Sequence, residues 1–267
     1  MAAVREQLGL DDPFLVQYVR WLGGAVRFDF GVSLTSSQPV SEIMVDRMQP
    51  TLSIAVVALI TSVMLGLGAG TVAGARPGTV ADKVSIGLAT LGVSIPSFII
   101  AIVLIRVLAL EWSLFPAVRY VPIGESFTGW LRSTTLPGVS LGLLGAGALS
   151  RQLRAGLVES AESDYVRTAW AVGSGRGRAI GKHALRNSAI PAVVVLGSQM
   201  TFVFGGTVII ERLFAIQGIG TFMIDAVTNT DLPAIRGIIM WFALVQVAVY
   251  LVIDIALLIL NPRLEIR

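Results

Sequence analysis

Residues 48 to 75 read Met-Gln-Pro-Thr-Leu-Ser-Ile-Ala-Val-Val-Ala-Leu-Ile-Thr-Ser-Val-Met-Leu-Gly-Leu-Gly-Ala-Gly-Thr-Val-Ala-Gly-Ala, a run without one charged side chain. A hydrocarbon core about 30 Å thick needs about 20 apolar helical residues to cross it. Because lipid offers backbone groups no partners, such a run pairs its own N–H and C=O groups as a helix. This stretch therefore sets the expectation of an all-α, polytopic transmembrane helical bundle.

Composition supports that expectation. Hydrophobic residues make up 54% of the chain and charged residues only 14%, where soluble domains carry roughly a quarter charged. Mean hydropathy is +0.79. The net charge of +3 could suggest nucleic acid, but such binders cluster Lys and Arg on a far less apolar background, so no nucleic-acid partner is expected. Cysteine is absent and His183 is the single histidine, which leaves no thiolate or histidine-rich metal site. The segment from Met1 to Asp12 lacks the apolar core of a cleavable export signal.

Four further spans follow: Val84 to Ile105, Ser133 to Ser150, Asn187 to Ile210, and Gly237 to Leu260. The third is the shortest and is glycine-rich. Orientation follows from Lys and Arg, which stay on the cytoplasmic side. With the carboxyl tail inside, Arg76, Lys83, Arg151, Arg154, the Arg and Lys residues of the 164–191 loop and the tail arginines share one side. That loop is then cytoplasmic and residues 1–47 are extracytoplasmic. The chain thus divides into an external segment 1–47, a transmembrane domain 48–260 containing a cytoplasmic loop 158–189, and a cytoplasmic tail 261–267. An external tail of this length with no span before it is unexpected, and points to a missing upstream span.

Gly66, Gly70 and Gly74 recur every fourth residue, as do Gly138 and Gly142. Such spacing lets helices approach closely in lipid; a flexible pore lining is the alternative. Pro96, in Ser94-Ile95-Pro96-Ser97-Phe98, removes a backbone donor and predicts a kink, either a hinge or a static bend. Asp254 is the one acid inside a span. It lies about two turns from the basic tail, near the inner interface rather than the midplane, which argues against a proton relay. Arg106 falls close to a span end, where its stem can snorkel.

Enzymatic chemistry is hard to assemble from these residues. The segment from Arg176 to His183 resembles a phosphate loop, but lacks Gly at 176 and Ser or Thr at 183, and no apolar strand precedes it. There is no Gly-x-Ser-x-Gly elbow and no pair of intramembrane carboxylates. The chain reads as a conduit powered from elsewhere, not as an enzyme.

The 164–191 loop begins Asp-Tyr-Val-Arg-Thr-Ala-Trp-Ala-Val-Gly-Ser-Gly. Glu162 to Val172 fits a short amphipathic helix, with acids early where they suit the helix dipole and Gly173 with Gly175 ending it. Tyr165, Ala169 and Val172 share one face. That face could fill a groove in a soluble partner or lie along lipid head groups.

These residues resemble the cytoplasmic signature of ABC importer permeases, a Glu-Ala-Ala triplet, three residues, Gly, nine residues, then Ile-x-Leu-Pro. Arg167-Thr168-Ala169 stands at the triplet, Gly173 at the glycine, and His183-Ala184-Leu185-Arg186 at the last element. The replacements are similar to those of the dipeptide, oligopeptide and nickel branch. Leu8-Gly9-Leu10-Asp11, Phe30-Gly31-Val32-Ser33, Ser94-Ile95-Pro96-Ser97-Phe98, Glu211, Phe214, Gly218-Ile219-Gly220, Asp231, Pro233 and Asn261-Pro262-Arg263 extend the likeness along the chain. Gln217 departs where the family has Pro, so that turn is expected to differ.

The resemblance implies a type I ABC importer permease fold in a bacterial inner membrane. Its usual first span would be missing here, through a late start codon or because it lies outside these residues. It implies a second homologous permease, two ABC ATPases that hold the ATP and Mg, and an extracytoplasmic substrate-binding protein; no cofactor is expected on this chain itself. Asp164, Tyr165, Arg167, Thr168, Ala169, Val172 and Gly173 would form the surface that meets an ATPase. Gln199, Thr201 and Gln246 are candidates for the translocation path, with interhelical hydrogen bonds the simpler role for such residues. Di- or oligopeptides lead as cargo, with nickel, glutathione or another small solute as alternatives. An ion-coupled transporter should instead show broken helices and buried charge at the midplane, and a structural scaffold would need no docking helix.

Overall fold

A charge limits how far a helix sinks into lipid, but it does not end the helix, and the long helices run past the boundaries drawn from charge. The computed structural model describes residues 12–164, 166 and 185–260, with backbone alone at 186 and 187. Helix α1 spans Phe14–Ala25 and α2 spans Val40–Ala75. A near-right-angled pair follows, α3 (Val80–Ser94) and α4 (Ser97–Leu104), the latter continuing as a π-helical stretch, Ile105–Glu111. Then come α5 (Phe127–Ala161), α6 (Leu185–Leu213), α7 (Ile219–Thr228) and α8 (Leu232–Leu260). Among the described residues the sole β feature is an isolated bridge, Val32 to Pro39.

Three helices are long and apolar enough to cross a membrane, Val40–Ala75, Ser188–Leu213 and Leu232–Leu260. The α3–α4 pair makes a fourth if counted as one crossing. The expected count of five, with a kink in the second, compares with three or four by length and apolarity among the described residues. Two physical reasons account for the difference.

The first is Pro96. The pair is bent by 102°, far beyond a kink. Ile95 is extended, with φ −91° and ψ 123°, as the residue before a proline prefers, and Pro96 then caps α4 with φ −56°. One turn of helix is lost and the chain changes direction.

The second is the place of α5. It packs against α2, α3, α4 and α6, and residues such as Ser133, Thr134, Ser140, Gly142 and Ser150 are buried along it. A helix enclosed by protein faces little lipid, so it can be glycine- and serine-rich without the hydropathy of a lipid-facing span. By contrast, the most apolar 18-residue window of α8 has none of its residues buried within this chain, and Ile239, Val247 and Ile259 are more than half exposed.

The glycine stripe packs α2 onto α5. A Cβ placed on Gly66 would lie 2.8 Å from Leu149 Cβ, on Gly70 2.9 Å from the Ser150 carbonyl oxygen, and on Gly74 2.6 Å from Leu157 Cβ. The reciprocal face has Gly142, where a Cβ would come within 2.6 Å of the Ala58 carbonyl oxygen. Ser62 adds a hydrogen bond from its hydroxyl to the Gly142 carbonyl, 2.8 Å. These glycines are helix contacts, as their spacing suggested.

Two apolar clusters result. The larger joins α2, α6, α7 and α8 through Ile54, Ile210, Phe214, Ile219, Ile238 and Trp241. The smaller gathers Leu149, Leu153, Leu157, Val166 and Ala192 near the end of α5. At that same end Arg154 of α5 forms a two-pronged ion pair with Asp82 of α3.

Candidate functional site

The residues expected to work lie at the two ends of the bundle and along its length. At the end where residues 162–184 leave α5, Glu162 closes α5 by donating its backbone N–H to the Glu159 carbonyl, 3.2 Å. Asp164 is exposed. Val166 is fully buried and packs with Leu153 and Leu157 of α5 and Ala192 of α6. The loop following α5 thus begins fastened to the bundle by an apolar side chain. Tyr165, Arg167, Thr168, Ala169, Val172 and Gly173 lie outside the described residues.

Of the three path candidates, Gln199 of α6 and Gln246 of α8 are partly buried, and Thr201 is exposed. The Gln199 side-chain oxygen and the Gln246 side-chain nitrogen are buried and have no hydrogen-bond partner among the described residues. Positions 199 and 201 are two apart on a helix, which sends their side chains to nearly opposite sides. The structure therefore sets Thr201 on a different face from Gln199. Gln199 lies beside Gly145 of α5, its Cβ 3.9 Å from where a Gly145 Cβ would be.

At the other end, α6 turns into α7. The turn has Ala215 at φ 50°, and the Ile216 N–H donates to the Glu211 carbonyl, 2.8 Å. Gln217 thus sits in a tight reversal that forms without proline. Glu211 is fully buried. Its Oε1 accepts the Thr51 hydroxyl at 2.6 Å and its Oε2 accepts the Thr221 N–H at 2.8 Å. Thr51 in turn accepts the Ile219 N–H, 2.9 Å. The first N–H groups of a helix lack partners within it, and here α2 and α6 supply them to α7. Arg47, one turn before Thr51 on α2, lies 5.6 Å above the Phe222 ring.

A second carboxylate, Asp231, ties α8 to the segment before α2. It accepts the Ser33 hydroxyl at 2.5 Å, the Thr35 N–H at 3.3 Å and the Ala234 N–H at 3.3 Å. Burial alone would push its carboxyl up. The hydrogen bonds from Ser33 and from backbone N–H groups outweigh that, and hold it below the ordinary carboxylate value. Beside this tie, a cavity of about 710 Å³ opens between α1 and the start of α8, lined by Arg20, Trp21, Asp29, Ser33 and Arg236 among others.

Sequence reasoning had placed Glu211 and Asp231 in a shared pattern without their partners. Thr51 was not singled out and Ser33 appeared only within the Phe30-Gly31-Val32-Ser33 stretch, because these partners lie 160 and 198 residues away from the acids they serve. Arg154 had been counted only as an orienting charge, and Asp82 was not singled out. Other charges among the described residues are exposed, among them Asp254 on α8, Arg106 paired with Glu111 at 3.2 Å, and Arg212 paired with Asp225 at 2.5 Å. No group of three or more His, Cys, Asp and Glu residues capable of holding a metal occurs among the described residues.

Comparison with known proteins identifies the family. A family model described as binding-protein-dependent transport system inner membrane component matches residues 63–266. A Brucella abortus protein named as a peptide transport system permease is 36% identical over 262 residues, 98% of this chain and 83% of that protein. The Escherichia coli K12 glutathione transport system permease protein GsiC is 33% identical over 99% of this chain and 84% of its own. The inward-facing MetNI methionine ABC transporter shares the fold, with a TM-score of 0.61 over 82% of this chain and 96% of that one, at 14% identity. The chain belongs to the binding-protein-dependent transport system inner membrane components, and is an integral inner-membrane permease subunit of an ABC importer, a transport subunit rather than an enzyme.

Proposed function

We propose that this permease imports di- or oligopeptides, and that ATP energy enters it through residues 158–189. The observation that carries the cargo reading is identity of 36% along 98% of the chain to a protein named for peptide transport. The 33% identity to a glutathione permease favours one second reading within the same chemistry, since glutathione is itself a modified tripeptide.

In this reading α5 is the fifth crossing, enclosed by the others, and residues 1–47 with α7 face the extracytoplasmic side. Residues 261–267 form a cytoplasmic tail. A binding protein delivers peptide to the external end, where Arg20, Asp29 and Arg236 line an open polar cavity whose mixed charge suits a zwitterionic cargo. Two permeases and two ATPases complete the importer. Asp164, Tyr165, Arg167, Thr168, Ala169, Val172 and Gly173 meet an ATPase, with ATP and Mg held there. The Gln199 side-chain oxygen and the Gln246 side-chain nitrogen, each buried without a partner among the described residues, support a path along α6 and α8, because buried polar atoms without partners are costly in a fixed core. Thr201 joins that path only from the exposed face of α6.

The test is an assembled importer in lipid, with its binding protein and a labelled dipeptide series. Peptide-stimulated ATP hydrolysis and uptake are expected, both lost in Gly173→Trp. Uptake of nickel or another non-peptide solute with none of peptide would overturn the cargo reading, and undiminished coupling in Gly173→Trp would overturn the loop reading.

A further inference from the structure

Helix α3 packs on α5 chiefly through apolar and backbone surfaces, with one side-chain hydrogen-bonded hold among the described residues. Between α3, α2 and α5 lies an apolar cavity of about 400 Å³, lined by Leu65, Leu88, Leu91, Ile95, Leu143 and Ala146 among others. Where α3 and α5 do touch, the contact is glycine on backbone: a Cβ on Gly147 would lie 2.5 Å from the Ala89 carbonyl oxygen, and one on Gly92 3.0 Å from the Leu143 carbonyl oxygen. Such glycine-on-backbone contacts set a close approach but carry no directional side-chain bond.

The exception is the start of α3. Asp82 has a side chain only 2% exposed. Its Oδ1 accepts from Arg154 Nε at 2.5 Å and its Oδ2 from Arg154 Nη2 at 2.9 Å. Oδ2 also accepts the Gly78 N–H at 2.8 Å, fixing the turn ahead of α3. Among the described residues this is the side-chain hydrogen-bonded link between α3 and α5. A guanidinium fork gripping both carboxylate oxygens fixes orientation as well as distance. Arg154 lies about two turns before the end of α5, beside Leu153 and Leu157, which pack with Val166 of the loop.

We propose that Asp82 and Arg154 are positioning residues that make the bent α3–α4 segment move with the loop-bearing end of α5 when the ATPases drive it. The proposal rests on the reading of residues 158–189 as the energy-input loop. Asp82 is buried and Arg154 is 29% exposed; an ion pair so placed adds little stability over an apolar pair of the same shape, and is better suited to fixing register between elements. Here the register fixed is that of the one transmembrane element broken by 102°, against the helix nearest the loop. Motion entering at Val166 reaches α3 through Arg154, while the bend at 95–97 lets the far half respond separately.

The chain has no cysteine, so Leu88→Cys on α3 and Val194→Cys on α6, both more than half exposed, give one spin-label pair. Their distance is measured in the complete permease–ATPase complex in nanodiscs, with and without ATP and vanadate. ATP is expected to shift the wild-type distance. In Asp82→Asn and Arg154→Gln the shifted population should fall by about tenfold or more, the scale of a typical coupling between sites, while the ATPases stay bound and hydrolyse ATP. Arg154→Lys, a point charge without the fork, should be intermediate, and the swap Asp82→Arg with Arg154→Asp should restore the response. A wild-type response in the single variants, or a lowered melting temperature with an unchanged response per assembled complex, overturns the proposal. Gly173→Trp separates the two ideas: response lost there but kept in Asp82→Asn overturns the positioning role alone, whereas response kept in both overturns the loop reading with it.

Discussion

Thr51 on α2 and Glu211 on α6 are joined by a 2.6 Å hydrogen bond between two fully buried side chains, and together they serve the amino terminus of a third helix. Thr51 accepts the Ile219 N–H and Glu211 the Thr221 N–H, so α7 begins on groups contributed from elsewhere. A carboxylate at a helix amino terminus is favoured by the helix dipole. Since α7 bridges the last two long helices, its seating decides how α6 and α8 meet at this end of the bundle.

Thr51→Val keeps the shape of the side chain but removes both hydrogen bonds, leaving the Ile219 N–H and one Glu211 oxygen unpaired. The expected cost is about 1–3 kcal/mol for the stranded groups, seen as a lower melting temperature of the purified permease in detergent. Thr51→Ser, which retains the hydroxyl, should lose much less. Equal losses in the two variants would show that packing, not the hydroxyl, holds α7.

The glycines of α2 predict opposite signs at neighbouring positions. At Gly70 a methyl would press on the Ser150 carbonyl oxygen, 2.9 Å, and on Leu153 Cβ, 3.0 Å. Gly70→Ala should therefore destabilise by about 1–3 kcal/mol, the range for overpacking. At Gly68 nothing lies within 4 Å, so Gly68→Ala should stabilise by about 0.5–1 kcal/mol through helix propensity. Thermal melts of the two variants beside wild type check both signs.

What the sequence made legible was local. The stripe at 66, 70 and 74 announced a close helix contact, and Pro96 announced a kink at the place where the chain breaks, because each signal lies within a turn or two of its effect. The size of the bend was not legible, since it depends on how α4 packs on α5 and α6. Helix α2 begins at Val40, ahead of the uncharged run that opens at Met48, because Glu42, Asp46 and Arg47 mark the edge of lipid while the helix continues through them. The low apolarity of α5 read as weakness, and reflects enclosure by its neighbours. The partners of Glu211, Asp231 and Asp82 lay 160, 198 and 72 residues distant. Glu211 and Asp231 were visible and Asp82 was not, and no periodicity links any of the three to the residue that satisfies it.

The Asp231 tie gives stability a defined dependence on pH. The Ser33 hydroxyl and the Thr35 and Ala234 N–H groups all donate to its carboxylate, and hold its folded value below the ordinary 3.8. A group whose value is lowered on folding binds protons more readily in the unfolded chain. Its contribution is therefore complete well above pH 3.8, shrinks as the unfolded carboxylate is protonated, and is gone once pH falls below the folded value. Asp231→Asn removes the charge at every pH, so the difference in melting temperature between wild type and Asp231→Asn isolates this group from other acids. That difference should be constant from about pH 5 to 7 and shrink below about pH 4. Ser33→Ala, by raising the folded value toward the unfolded one, should give a smaller difference from Asp231→Asn across the whole range. A difference that grows in acid would mean that burial dominates the carboxylate, and that the hydrogen bonds from Ser33 and the backbone fail to stabilise its charge.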